Sequence, residues 1–279
     1  VLKTRVITAL VLLALLLPSL FFLPPDYWAL LLTGFVGVAA WEWGALLRWG
    51  ETARRMLGIG FAAVCGCVIF LAPEVIGAAE VFQPAPVWVR LVYGLATIFW
   101  CGLMPLWLRS KWALGGGVVG LLIGLLLLFS TWLAMVQLRM LGPAVLLAFL
   151  AVAWVADIAA YFAGRKFGKH KLAPSISPGK TWEGAVGAVL GVIIYGLALR
   201  ASFAFEAVAL PWWVLLLMAI TAVSIIGDLY ESMLKRQAGI KDSSHVLPGH
   251  GGVLDRIDSL TSTLPVIAFL WLLLAAPKP

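Results

Sequence analysis

Charge is scarce in this sequence. Asp, Glu, Lys and Arg make up 12% of its 279 residues, while 63% are hydrophobic and the mean hydropathy is +1.03. A soluble domain carries about 45–50% apolar residues, so this balance excludes one and defines an integral membrane protein. Strand-like alternation is missing as well. Runs such as Val118 to Phe129 are continuously apolar, which excludes a closed barrel and leaves a bundle of helices. Cysteine is rare: Cys65, Cys67 and Cys101 all fall in apolar runs without nearby His or carboxylate partners. They read as small buried packing residues and provide no disulfide framework. No soluble domain, internal repeat or low-complexity tail is found. No clean small-residue cleavage site follows Leu23, so the apolar run behind Lys3 and Arg5 is read as a retained span.

What is present is a series of apolar runs of roughly 17–25 residues, the length that crosses a hydrocarbon core as a helix. Nine spans are expected, near residues 6–23, 27–47, 57–73, 88–107, 113–137, 143–163, 182–200, 211–231 and 256–275, forming one integral membrane domain over 1–279. On this map sixteen Lys and Arg residues fall on one side; Arg90, Arg139, Arg200 and Lys278 fall on the other. The bias places the amino terminus in the cytoplasm and the carboxyl terminus outside. The net charge of +7 then belongs to a cytoplasmic face suited to anionic headgroups and substrates, not to nucleic acid. Gly116, Gly120 and Gly124, and likewise Gly187 and Gly191, recur at four-residue spacing and predict close helix approach within one subunit. Trp41, Trp43, Trp100, Trp107, Trp112, Trp212 and Trp213 lie near predicted span ends and read as interfacial anchors.

Polar chemistry gathers in two predicted cytoplasmic loops, 164–181 and 232–255, and at the helix ends beside them. Ser224, Asp228, Glu231 and Lys235 share a helical face. Asp228 lies inside an apolar run, where an ionisable group is a functional candidate by default. After the second loop the last span must include Asp255 and Asp258 in its first turn, where carboxylates are favoured by the helix dipole. Capping leaves the preceding PGHGG unexplained. Gly249, Gly251 and Gly252 allow backbone N–H groups to approach an anion, and His250 suits phosphate binding, proton shuttling or bracing of the loop. In the first loop, PGKT at 178–181 is not a P-loop, because the position that requires the first glycine is Pro174. The loop still offers Lys169, Lys171, Lys180, Ser175, Ser177 and Thr181 as donors to phosphate oxygens. Asp157 and Tyr161, one turn apart on the preceding span, predict a polar cavity beneath it.

The segment Ser232 to Asp258 resembles the signature of the phosphatidate cytidylyltransferase (CDP-diacylglycerol synthase) family. The matching positions are Ser232, Leu234, Lys235, Arg236, Lys241, Asp242, Leu247, Pro248, His250, Gly251, Gly252, Asp255, Arg256 and Asp258. The resemblance extends to DIAAYFAGRKFGKHKLAPSISPGKTWEG, GDLYESMLKR and AAWEWG, covering most of the chain. Ser244 stands where related proteins often have glycine, a small-for-small change. The resemblance implies that CTP and phosphatidate give CDP-diacylglycerol and pyrophosphate with magnesium, and leaves open whether potassium assists. It places the metal on Asp228 and Asp255 and implies a homodimer, in a bacterial inner membrane. It puts Asp228, Asp255, Lys241, Asp242 and His250 in catalytic roles. Ser177, Lys180, Thr181, Lys235, Arg236, Gly251, Gly252 and Arg256 are expected to bind substrate.

The residues agree with that chemistry. Both substrates are polyanions, magnesium commonly uses one or two carboxylates plus substrate phosphates, and basic loops would neutralise the leaving pyrophosphate. One substrate is water-soluble and the other stays in the bilayer, so the site belongs near the interface. A secondary transporter would place charges near the midplane of several helices, whereas most acids here gather at helix ends. A cytidylyltransferase for another membrane lipid phosphate is the nearer alternative.

Overall fold

Each long apolar run forms a helix, in a computed structural model that describes residues 2–78, 85–202 and 208–274. The order is α1 (Leu2–Phe22), α2 (Pro25–Leu46), α3 (Glu51–Leu71), α4 (Val87–Thr97), a π-helical segment (Ile98–Leu103), α5 (Met104–Ser110), α6 (Val118–Met140) and α7 (Pro143–Phe167). A short hairpin follows, β1 (Lys171–Ala173) with β2 (Ser177–Thr181), and then α8 (Trp182–Ser202), α9 (Leu210–Ala238) and α10 (Leu254–Leu274). Among the described residues nine helical stretches are long and apolar enough to cross a membrane, with α4, the π segment and α5 counting as one. Lys278 lies outside the described residues.

Proline begins several of these helices, at Pro25 in α2, Pro143 in α7 and near the start of α9, where its missing N–H costs nothing. Helix α9 ends at Gly239, whose φ of +76° closes the last turn through hydrogen bonds from Gly239 N to Arg236 O (3.1 Å) and from Ile240 N to Lys235 O (3.0 Å). Glycine adopts that left-handed conformation without a Cβ clash.

Helix α10 is enclosed by its neighbours. It packs on α9, α6, α4 and α7 and is buried continuously from Ser259 to Ala268. The hydroxyls of Thr261, Ser262 and Thr263 bond back to its own carbonyls, as from Thr263 Oγ1 to Ser259 O at 2.8 Å, so they enter the core with their donors satisfied. Helix α1 is peripheral, and most of its side chains face outward.

The glycine repeats pack within the subunit. A Cβ at Gly124 would collide with the Trp43 ring, and one at Gly116 would lie 2.6 Å from Leu47 O. The indoles use that closeness: Trp43 Nε1 donates to Gly120 O at 3.0 Å and Trp49 Nε1 to Gly116 O at 2.7 Å. On α8, a Cβ at Gly187 would overlap Ala163 Cβ, and one at Gly191 would lie 2.6 Å from Ala159 Cβ.

Two expectations need correction. Trp43, Trp100, Trp107 and Trp213 are buried, because their indoles fill space between helices instead of anchoring at an interface. Cys65 is buried, but Cys67 and Cys101 lie on exposed helix faces.

Candidate active site

The long loop expected at 164–181 is mostly ordered backbone. Helix α7 continues to Phe167, and the hairpin pairs Lys171 with Thr181 and Ala173 with Ser177. PGKT therefore lies in strand β2, which runs into α8 without an intervening loop. Thr181 Oγ1 accepts from Gly184 N at 3.1 Å and thereby caps α8. His170 braces the same corner. Its Nδ1 lies 2.6 Å from Glu183 Oε1, and its carbonyl accepts from Trp182 N at 2.9 Å.

Beneath the hairpin is a cavity of about 510 Å³. Its walls come from α7 (Ala156, Asp157, Ala160, Tyr161, Gly164, Arg165), the hairpin (Leu172, Ser177, Gly179, Lys180, Thr181), α8 (Gly184, Ala185, Ala188) and α9 (Ile225, Asp228). This is the polar cavity expected from Asp157 and Tyr161. Small residues on α7 and α8 leave room for it, and the inner wall is apolar. Lys180 Nζ forms an ion pair with Asp228 Oδ2, and Ser232 Oγ lies 3.3 Å from Asp228 Oδ1. Asp228 follows Leu210 by eighteen residues, about 27 Å along a helix axis. That is close to the roughly 30 Å of a hydrocarbon core.

Behind this cavity is a second polar cluster. Lys235 Nζ bridges Glu231 Oε2 (3.0 Å) and Asp255 Oδ1 (2.6 Å). The other oxygen of Asp255 accepts from Ser243 N (2.9 Å), Ser243 Oγ (2.9 Å) and Gly252 N (2.8 Å). Glu42, on α2, meets the same loop from the other side: it accepts from the hydroxyls of Ser243 and Ser244 and from the amides of Val253 and Leu254. A Cβ at Gly252 would collide with Ser243 Oγ and Glu42 Oε1, and one at Gly251 would lie 2.6 Å from Asp255 Oδ2. These glycines do allow carboxylates to approach closely, and the carboxylates are the protein's own.

Of the residues singled out in the sequence, Ser177, Lys180, Thr181 and Asp228 line the cavity; Lys235, Asp255 and Gly252 belong to the second cluster. Lys241, Asp242 and Arg236 are exposed and line neither. Arg256 is exposed and within electrostatic range of Asp157. His250 closes the PGHGG turn through its backbone, from its N to Leu247 O at 2.9 Å. Asp258 accepts from Ser259 N at 2.7 Å and lies within electrostatic range of Asp157 and Asp228. Sequence reasoning missed Glu42. Its signal was available, since Glu42 is an acid well inside the apolar run of α2.

The protein is a helical membrane bundle with a charged cavity under a basic hairpin, walled by apolar helices. Comparison narrows the class. The sequence model of the Cytidylyltransferase family matches residues 3–274, and the chain belongs to that family. It is similar to a protein of Pseudomonas aeruginosa named phosphatidate cytidylyltransferase, with 42% identity over 97% of each chain. A protein of the same name from Haemophilus influenzae is 35% identical over 97% of this chain and 98% of its own length. A third, from Brucella suis, is 49% identical over 46% of each chain.

Proposed function

We propose that the chain transfers the cytidylyl group of CTP to phosphatidate, giving CDP-diacylglycerol and pyrophosphate for phospholipid synthesis. A phosphate oxygen of phosphatidate forms a bond to the α-phosphorus of CTP, and the bond from that phosphorus to the bridging oxygen of the β-phosphate breaks. The observation that carries the reading is the Lys180–Asp228 pair in a cavity with an apolar inner wall. A lipid phosphate needs a charged site that its tails reach from the bilayer, and a nucleotide needs the same site open to water.

The residues have distinct work in this reading. Lys180, released from Asp228, is a compact cation for phosphate oxygens. Ser177 offers a hydroxyl beside it, while Thr181 holds the strand-to-helix corner that aims Lys180. Arg165 and Arg256 add positive charge around the cavity, and Lys241 and Arg236 do so on the exposed loop. Asp255, Lys235, Gly251 and Gly252 keep the loop in place, with Asp242 exposed on it and His250 half-buried.

Asp157 and Asp228 offset Lys180 and Arg165 in the cavity wall, so polyanions need added positive charge there. Asp228, partly exposed to the cavity, has the chemistry of a magnesium ligand. Asp255 has neither oxygen free, and it joins Asp228 only if the Lys235 ammonium gives up Oδ1 and rests on Glu231. Among the described residues no three acids, histidines or cysteines gather closely enough to hold a metal by themselves, which leaves coordination positions to substrate phosphates. Magnesium bound there would neutralise phosphate charge as it shifts to the leaving group.

The sixteen-to-four charge split supports a cytoplasmic amino terminus and a site facing the cytoplasm of a bacterial inner membrane. One membrane domain, read from the series of apolar spans, and a homodimer, implied by the family resemblance, complete the reading. The test is purified protein with labelled CTP, magnesium and a panel of lipid phosphates. Labelled CDP-diacylglycerol from phosphatidate is expected. No liponucleotide from any lipid, or a preference for an isoprenoid or other lipid phosphate, overturns the assignment.

A further inference from the structure

Glu42 is fully buried, and among the described residues it has no ion-pair partner. A buried carboxylate is costly unless its lone pairs are met. Here four donors meet them: Ser244 Oγ (2.5 Å) and Val253 N (3.0 Å) at Oε1, Ser243 Oγ (3.2 Å, its one proton shared with Asp255 Oδ2) and Leu254 N (2.6 Å) at Oε2. Two of these donors belong to the beginning of α10 and two to the beginning of the preceding loop. Helix starts usually take their cap from a local Ser, Thr, Asp or Asn. The residue before α10 is Val253, which has no side-chain oxygen, so the cap comes from α2, more than 200 positions away in the chain. Asp255 joins the same two segments from the opposite side, through Ser243 and Gly252. The loop from 243 to 253 is thus closed by two carboxylates, with Ser243 held by both.

We propose that Glu42 is a positioning residue for the group transfer: from outside the cavity it holds the 241–253 loop and the first turn of α10 in the arrangement that fixes Asp255. The proposal rests on the cytidylyltransferase reading for its catalytic part only. A carboxylate is required, because an amide in its place presents one oxygen to four donors and turns its own N–H groups toward two of them.

Glu42→Gln and the double variant Ser243→Ala with Ser244→Ala separate the possibilities. The double variant removes the hydroxyl donors of Glu42, and with Ser243 one of the donors of Asp255, and leaves the α10 cap intact, so it remains informative if Glu42→Gln fails to fold. Amide hydrogen exchange and steady-state kinetics are measured on folded, monodisperse protein. For Glu42→Gln, exchange should accelerate at least tenfold across 243–254 while the hairpin at 171–181 stays unchanged. Its kcat should fall at least tenfold, with the KM for CTP within threefold of the parent value, because the Lys180–Asp228 cavity is untouched. The double variant should show the same pattern at about one third of the size. Unchanged exchange in both variants overturns the proposal, and so does faster exchange with parental kcat. A parent protein without cytidylyltransferase activity would instead refute the proposed function, and the exchange data would still judge the clasp.

Discussion

Asp228 carries one ammonium partner and one weak hydroxyl contact; Asp255 carries an ammonium and three hydrogen-bond donors. The side chain of Asp228 is 27% exposed and that of Asp255 is 4% exposed, so the same substitution should act differently at the two. Asp255→Asn strands part of a buried network, and breaking such a pair costs about 3–5 kcal/mol. Its unfolding midpoint in detergent should fall by several degrees along with its activity. Asp228→Asn should keep its midpoint while losing turnover by about 10²–10³-fold, the size expected when a charge-stabilising group is removed from a reaction site. Lys180→Ala should fall in the same range and stay folded. Turnover and thermal unfolding measured on all three proteins check these expectations. Equal stability of Asp228→Asn and Asp255→Asn would contradict the division between cavity and clasp.

At the scale of elements, the seam between α7 and α8 decides the shape of the cavity. Gly187→Val inserts bulk where even a Cβ would overlap Ala163, and overpacking of this kind costs about 1–3 kcal/mol. Because β2 runs into α8, the displacement should reach Lys180 and lower both stability and turnover. Gly66→Val is the comparison, since a Cβ there meets nothing within 4 Å; it should be silent in the same thermal and kinetic assays. The spans were legible because membrane helices announce themselves by length and apolarity. The hairpin was not, because Pro174, Ser175, Pro178 and Gly179 are turn residues, and its pairing is too short to produce an alternating pattern. Lys180 and Asp228 were legible as charges in places where charge is expensive. The engagement of Asp255 was not, since it depends on Lys235 twenty residues away and on Ser243 in the intervening loop. The same holds for Gly251 and Gly252: the residue type signals close approach of an anion but does not reveal whether that anion is substrate or protein.

For the whole molecule, sidedness is the property that the charge map predicts and chemical labelling can test. In a background without Cys65, Cys67 and Cys101, single cysteines at Ser175 and His245, both exposed, should react with an impermeant thiol reagent only after cells are permeabilised. Reaction in intact cells would invert the orientation. Ser243, although in the same loop, is buried and would be silent on either side.

The absence of any linker between β2 and α8 has a mechanical consequence. A membrane helix answers a change in hydrocarbon thickness by tilting, and α8 has no slack at the end where Lys180 is attached. Tilt of α8 is therefore converted into displacement of the ammonium relative to Asp228, which rides on a different helix. Turnover should pass through a maximum as the acyl chains of reconstituted vesicles are lengthened, falling on both sides while the protein stays folded. Inserting two glycines between Thr181 and Trp182 should lower the peak and flatten the profile. The protein would then act as a gauge of the bilayer whose lipids it helps to make, slowing when the membrane departs from the thickness that seats its lysine.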